Sequence, residues 1–367
     1  MGFGTTGEME ALLETGRREG VYPGAVLLAA WKGEVRFFLA AGNRTLSPQP
    51  LPMEKETLFD LASLTKPLGT TLAIMKLADE GKIDLDAHIE ALLCHTMPLD
   101  KRKITSRFLL NHAAGLADWK PFYLDLDQDE PAERKTVLRQ KLLALPLVYP
   151  PGTQALYSDL GFMALEWIIE ARSGMDLPRF LETAFYGPLG LKDAGFFRDG
   201  LPGRFNRDRF AATESCPWRN RIIQGSVHDE NAWALGGYSG HAGLFGTAAT
   251  VYELANLLRE HWRGERSDYL KPETVREFFT RQDRVRESTW ALGWDTPSPV
   301  NSSAGRHFSE TSVGHLGFTG TSLWMDLKQD VIIIFLTNRV YPTRENKKIR
   351  AFRPVLHDRV MEAFRLG

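Results

Sequence analysis

Leu58–Gly81 reads L-F-D-L-A-S-L-T-K-P-L-G-T-T-L-A-I-M-K-L-A-D-E-G. Most of it has a helical pattern, with Gly81 as the stop. Ser63-Leu64-Thr65-Lys66 opens that helix, which sets a hydroxyl and an amine one turn apart on one face. The spacing suits an acyl-transfer nucleophile beside its base, and the free N–H groups of a helix N-terminus favour the negative charge that develops there. A chain of 367 residues holds about one S-x-x-K by chance, so the motif alone equally describes a surface helix capped by a serine. The flanking sequence decides between the two.

On the N-terminal side, Glu8–Arg18 is a short amphipathic helix. Ala25–Ala30 and Val35–Ala41 are apolar runs of strand length around W-K-G-E, a hairpin signal. Polar, Pro-rich Arg44–Glu56 reads as loop. Beyond Ile83 the chain turns helical and loop-rich. Helices are expected over Ile104–Leu110 with Thr105 as cap, Thr136–Leu145, Leu160–Arg172 with Ser158 or Asp159 as cap and Gly174 as stop, Thr250–Trp262 and Pro272–Phe279. Asp118–Arg134 reads as an exposed insertion, and Phe196–Gly246 as long loops with little regular structure, of a length that is usually functional or disordered. Strands return at Trp290–Trp294, Ser312–Leu316, Ser322–Leu327 and Val331–Thr337, and Lys347–Leu366 closes as a helix. Strands at both ends with helices between them define an α+β fold. Residues 1–82 plus 285–367 supply one antiparallel sheet flanked by helices. Residues 83–284 form an inserted, mainly helical unit, and the active site lies between the two.

Composition excludes several classes. The chain is 43% apolar and 25% charged with a formal net charge of −1, which gives no electrostatic footprint for nucleic acid. No apolar run approaches the roughly 18 residues of a membrane span. The first residues, M-G-F-G-T-T-G-E-M-E, lack the basic and apolar regions of a secretion signal. The expectation is a cytoplasmic protein, or a periplasmic or extracellular one whose signal has been removed. Cys94 and Cys216 read as two buried thiols, without a disulfide or a metal spacing. His228-Asp229-Glu230 would point in different directions, and no H-E-x-x-H occurs. No metal is expected.

Two more segments carry chemistry. Tyr157, in P-P-G-T-Q-A-L-Y-S-D-L-G, sits in a loop just before a helix. A phenol near an ammonium loses its proton more easily and can serve as a base. The bland alternative is a tyrosine packed at a helix entry. Gly314–Gly320, G-H-L-G-F-T-G, leads into a strand. Its glycines let a substrate lie against a strand edge, with His315 turned into the cleft. The alternative there is a glycine-rich surface turn.

In this order S-L-T-K, Y-S-D and H-L-G resemble the S-x-x-K, Y-x-N and K-T-G or H-x-G motifs of the serine β-lactamase and penicillin-binding-protein superfamily, in particular the class C β-lactamase-related serine hydrolases. L-L-N-H-A-A-G-L (Leu109–Leu116), P-P-G before Tyr157, G-S-V-H-D-E-N-A-W-A-L-G-G with G-H-A-G-L-F, and L-T-N-R-V-Y-P-T-R extend the likeness from Gly24 to the C-terminus. The resemblance implies a β-lactamase/transpeptidase-like fold and two-step acyl transfer. Ser63 attacks a carbonyl, and Lys66 and Tyr157 move its proton to the leaving group. The backbone N–H groups of Ser63 and Phe318 form the oxyanion hole, and water releases the acyl group. No cofactor is implied.

The departures bear on substrate. Asp159 stands where the family has asparagine, and an anion there attracts lysine or an amine and repels a carboxylate. His315 replaces the lysine of true β-lactamases and carries less charge near neutral pH. Thr343 falls where class C enzymes have a substrate-binding asparagine, which leaves Arg344 as an anion contact or a solvent-facing residue. Substrate contacts are therefore expected from Asp159, His315, Leu316, Gly317 and Arg344. The expected substrate is a small molecule, peptide or glycopeptide, processed by an esterase, peptidase or cell-wall amidase with weak or no β-lactamase activity. The competing reading is a non-catalytic or slowly deacylating penicillin-binding sensor on the same fold. The sequence leaves the oligomeric state undefined.

Overall fold

The computed structural model describes residues 5–126, 130, 133–197 and 205–365. Six strands form the main sheet: β1 (Gly24–Trp31), β2 (Glu34–Thr45), β3 (Leu51–Pro52), β4 (Val313–Leu316), β5 (Ser322–Asp326) and β6 (Val331–Thr337). Their order is β3-β2-β1-β6-β5-β4, antiparallel throughout, so the two chain ends meet at the β1–β6 pair. The register sets Leu28 opposite Ile334, and Ile334 opposite Leu323.

β1 and β6 read as continuous apolar runs because both faces of the sheet are covered. Period-2 alternation sends Ala25, Leu27, Ala29, Ile333 and Phe335 to one face. There they pack with α1 (Thr6–Arg18) and α5 (Ile349–Arg365) through Met9, Leu13, Leu356 and Val360. Val26, Leu28, Ala30, Ile332 and Ile334 point the other way into the larger core. That core holds α2 (Leu72–Asp79), α3 (Asp159–Ser173) and α4 (Ala248–Arg263).

α4 packs directly on β6 and β1 although it lies inside the stretch 83–284. The division by sequence position and the division by packing therefore differ there. α3 starts where the sequence indicates. Ser158 is the cap, its Oγ accepting from Gly161 N at 3.2 Å, and Gly174 stops the helix at φ +70°. The cap falling on Ser158 leaves the Asp159 carboxylate free for another partner.

Four expectations need correction. Ser63 does not open an α-helix: Ala62–Leu64 is a 3-10 turn, Lys66–Thr71 a π turn, and regular α geometry begins only at Leu72. Pro67 brings no N–H to this stretch, and π turns recur at functional sites. Trp290–Trp294 is a tight turn rather than a strand, with Ala291 N bonded to Trp294 O at 2.8 Å. Gly293 sits there at φ +76° so close to α2's lead-in that a Cβ would lie 1.9 Å from Thr71 Oγ1. Cys94 is exposed, ending the helix Ile89–Leu93 at φ +48°, whereas Cys216 is buried. Phe196–Gly246 contains a hairpin, Ala212–Cys216 with Arg221–Gln224, and the helix Glu230–Ala234. Within the expected insertion and this loop stretch, residues 127–129, 131–132 and 198–204 lie outside the described residues.

Candidate active site

The turn that carries Ser63 is held from three sides. Asp60, 2% exposed, accepts from Ala62 N at 2.8 Å and from His228 N at 2.7 Å. Burial pushes its carboxyl above the usual range, against those hydrogen bonds. Thr65 Oγ1 donates to Ala62 O at 2.6 Å and accepts from Leu244 N at 3.0 Å. Thr319 and Thr321 donate to the carbonyls of Asp60 and Leu61 at 2.8 and 3.0 Å. Between these anchors Ala62 adopts φ +49°, the left-handed region. For an alanine that costs roughly 1–2 kcal/mol, and it presents the next residue, Ser63, at the cavity surface.

Lys66 is fully buried. Its Nζ donates to Ser63 Oγ at 3.0 Å and His241 O at 3.1 Å, and forms an ion pair with Asp159 Oδ1 at 2.7 Å. It also lies 4.9 Å from the centre of the Tyr157 ring. Burial works most strongly against the ammonium, but Asp159 and Tyr157 together outweigh it, so the amine is held above its ordinary value. The phenol of Tyr157 is pushed up by burial, with Asp159 adding to the rise against the pull of Lys66, so the expectation that a nearby ammonium eases its deprotonation is not met.

Tyr157 is wedged by rings. His112 lies 4.7 Å away, Trp290 5.5 Å and His315 5.9 Å, centre to centre. His112 itself accepts from Ser158 N through Nδ1 at 3.0 Å. Burial first, then the Lys66 charge, push it well below the usual histidine range. The structure thus brings Ser63, Lys66, Tyr157, Asp159 and His315 into one site.

β4 runs past the Ser63 turn. Gly317, just after it, fits so closely that a Cβ would lie 2.0 Å from Thr321 Oγ1 and 2.6 Å from Leu61 O. Phe318 follows, 49% exposed, its ring stacked 5.6 Å from His228. Its N–H has no acceptor among the described residues, so it is available to an oxyanion. His315 is 3% exposed. Burial and Lys66 push its imidazole down to about 3, so this position brings no cation at neutral pH.

Two cavities meet at Ser63, Tyr157 and Phe318. One, of about 300 Å³, is lined by Trp119, Asp159, His228, Asp229, Glu230, His241 and Arg344. Its charges are internally matched. Asp159 pairs with Lys66, Asp229 with His241 at 2.9 Å, and Arg344 with Glu214 and Glu230 at 2.6 and 2.7 Å. Arg344 lines the site as expected, but these two carboxylates hold its guanidinium. Asp159, Asp229 and His241 bring one ligand atom each within 4.8 Å of one another. With Lys66 and His241 already neutralising the two carboxylates, the set does not read as a metal centre.

The other cavity, of about 370 Å³, is lined by Leu316, Gly317, Trp290 and Asp295 together with Arg339, Lys347, Arg350 and Arg353. Arg339 and Arg353 are 8% and 4% exposed, and neither has a carboxylate partner among the described residues. Arg339 instead donates to the carbonyls of Phe318, Arg344 and Asn346. Burial and neighbouring arginines push both guanidiniums down to about 10, still charged at neutral pH.

Asp60, His112, His241, Trp290, Arg339 and Arg353 were not singled out as site residues from the sequence. The motif-like segments that contain Asp60, His112, His241 and Arg339 were visible, but nothing in them says which side chains converge.

With this geometry in view, the comparisons with known proteins agree. The chain belongs to the Beta-lactamase family, whose model matches residues 9–355. It is 32% identical over 348 residues to a Salmonella typhimurium protein provisionally named D-alanyl-D-alanine carboxypeptidase, covering 88% of this chain and 78% of that one. A Salmonella enteritidis protein of the same name is 33% identical over the same span. Among solved structures, EstCE1, a hydrolase with promiscuous acyltransferase activity, superposes with a TM-score of 0.74 at 24% identity, covering 97% and 98% of the two chains. The octameric penicillin-binding protein homologue from Pyrococcus abyssi gives 0.73 at 20% identity, covering 98% of this chain and 76% of that one. Fold and family agree on a serine hydrolase of the β-lactamase superfamily. Among the described residues no helix is long and apolar enough to cross a membrane.

Proposed function

We propose that this serine hydrolase is a carboxypeptidase-type peptidase that removes a terminal residue bearing a free carboxylate, with a D-alanyl-D-alanine-like peptide end as its substrate class. Ser63 is the nucleophile, and Lys66 and Tyr157 handle its proton. The backbone N–H groups of Ser63 and Phe318 stabilise the oxyanion more than the ground state. The observation that carries the reading is the cavity beside Ser63 lined by Arg339 and Arg353, buried cations without a carboxylate partner among the described residues. A leaving group with a terminal carboxylate supplies the missing anion. The names of the Salmonella relatives support the same substrate class.

β-Lactam turnover is expected to be weak, because the neutral His315 replaces the motif cation and the positive charge sits instead on arginines near and within α5. The test compares release of D-alanine from an N-acylated peptide ending in D-Ala-D-Ala with cleavage of its C-terminal amide, alongside intact mass after a fluorophosphonate probe. Wild type is expected to prefer the free carboxylate by roughly tenfold or more, the worth of one charged hydrogen bond. Ser63→Ala is expected to lose both turnover and adduct. Equal cleavage of the two peptides would overturn the substrate reading. An adduct on Ser63 without turnover of any ester or peptide would favour the acyl-trapping sensor.

A further inference from the structure

The cavity that joins Ser63 to α5 holds more positive charge than one terminal carboxylate meets. Arg339, Lys347, Arg350 and Arg353 line it, and Asp295 is the one carboxylate among the described residues that line it. Asp295 is not their counter-ion. It accepts from Thr289 Oγ1 at 2.7 Å and Thr296 N at 2.9 Å, and no ion pair joins it to any of the four among the described residues. Burial pushes its carboxyl up to about 6 against those hydrogen bonds, whereas a carboxylate paired with a cation is held low.

Three of the four cations come from K-K-I-R-A-F-R, Lys347–Arg353. Lys347 and Arg350 are exposed. Arg350 and Arg353 lie one turn apart on a face of α5, whose positive end adds to the same field. Lys348 is spent elsewhere, donating to Glu19 O at 2.7 Å. Arg339 gives its Nη groups to three backbone carbonyls, but its Nε is buried without a partner. Arg353 is less provided for: its Nε is also unpartnered, and its guanidinium makes no hydrogen bond among the described residues. After burial, like charges hold both down, Arg350 acting on Arg339 and Arg339 on Arg353. Arg350 also borders a neighbouring cavity, where Asp358 pairs with Arg306 at 2.8 Å and Glu310 is exposed. One carboxylate takes one guanidinium edge through two parallel N–H bonds. With Arg353 engaged in that way, Arg339 and the two exposed cations still lack an anion.

We infer that the residue this enzyme releases carries a second acid group besides its terminal carboxylate, as aspartate or glutamate does. This rests on the leaving residue lying in this cavity. The terminal carboxylate meets Arg353, and the side-chain carboxylate meets Arg339 Nε and the rim pair Lys347 and Arg350. The bond broken and the attack by Ser63 stay the same. The cavity on the other side of Ser63 offers no such place, because Glu214 and Glu230 already hold Arg344.

The experiment compares N-acylated peptides ending in D-Ala-D-Glu, D-Ala-D-Gln and D-Ala-D-Ala. Glutamine matches glutamate in size and lacks only the charge. The D-Glu peptide is expected to exceed the D-Gln peptide in kcat/KM by roughly tenfold or more, the worth of one charged hydrogen bond. Exchanging both exposed cations together, Lys347→Gln with Arg350→Gln, is expected to cut that ratio by about two- to fivefold, the range of a solvent-exposed ion pair. A second readout needs no peptidase activity: free D-glutamate is expected to inhibit p-nitrophenyl butyrate hydrolysis roughly tenfold more strongly than D-glutamine. Equal handling of glutamate and glutamine in peptide cleavage, or in inhibition where no peptide is cleaved, overturns the inference. Inhibition by inorganic phosphate as strong as that by D-glutamate also overturns it, because the cavity would then be a general anion trap. A glutamate preference untouched by the double variant overturns its placement at this rim. Selective inhibition by D-glutamate without cleavage of any peptide would bring down the peptidase reading alone, a separate failure.

Discussion

Arg353→Leu isolates the feature on which the substrate reading depends. Arg353 is 4% exposed, sits near Arg339 and has no carboxylate partner among the described residues. An unpaired buried ion costs several kcal/mol of effective desolvation, and exchanging buried ionic groups for apolar ones of similar volume stabilises by about 1–4 kcal/mol. Arg353 is a single guanidinium at the wall of a cavity, so the low end, about 1 kcal/mol, is expected as a raised thermal midpoint. Function should move the other way. A hydrogen bond to a charged group is worth about 1.5–3 kcal/mol, which is roughly 10- to 150-fold in kcat/KM for a peptide with a free terminal carboxylate. Hydrolysis of p-nitrophenyl butyrate, whose leaving group has no carboxylate, should change little. The assays are differential scanning fluorimetry and paired kinetics on the free-acid and amide-capped peptides. A lower midpoint together with unchanged discrimination would refute the reasoning, because it would make Arg353 a structural ion rather than a waiting anion receptor.

Gly317→Ala would press a methyl group to 2.0 Å from Thr321 Oγ1 and 2.6 Å from Leu61 O. Because Leu61 precedes the Ser63 turn, we expect a loss of about 1–3 kcal/mol in denaturant unfolding and a larger proportional loss of esterase activity. Glu214 gives a pH signature. Burial raises its carboxyl, but hydrogen bonds from His228 and Arg344 outweigh burial and hold it at about 2, against an ordinary value of 4.5. A depressed folded value means the stabilisation is fully present above about 4.5 and is lost as pH falls through about 2. Its size is about 3 kcal/mol, so Glu214→Gln should lower the thermal midpoint at pH 7 and flatten its acid dependence over that window.

The strands were legible because burial on both faces writes itself into composition: Val331–Thr337 could hardly be anything but a central strand. The cap Thr105 and the stop Gly174 were legible because each satisfies a backbone group within its own helix, and the choice between Ser158 and Asp159 as a cap was left for the structure to settle on Ser158. Trp290–Trp294 was misread because a short apolar run has no period of its own, and only contact with Thr71 shows why it must turn. The Lys66–Thr71 π turn left no mark in the periodicity, since one extra residue in a turn is set by what the helix packs against.

What the sequence by itself determined is the set of local devices: a serine and a lysine one turn apart, a tyrosine at a helix entry, and a glycine-lined strand end. Each is fixed by spacing and by the backbone chemistry of a few neighbouring residues. What only the tertiary structure decided is how their charges are settled. Asp159 meets Lys66 across 93 positions, Arg344 is held by Glu214 and Glu230, and Arg339 and Arg353 are left beside Ser63 without a carboxylate partner among the described residues. Electrostatic partners are chosen by distance and burial in the folded chain, and neither is written in the order of residues.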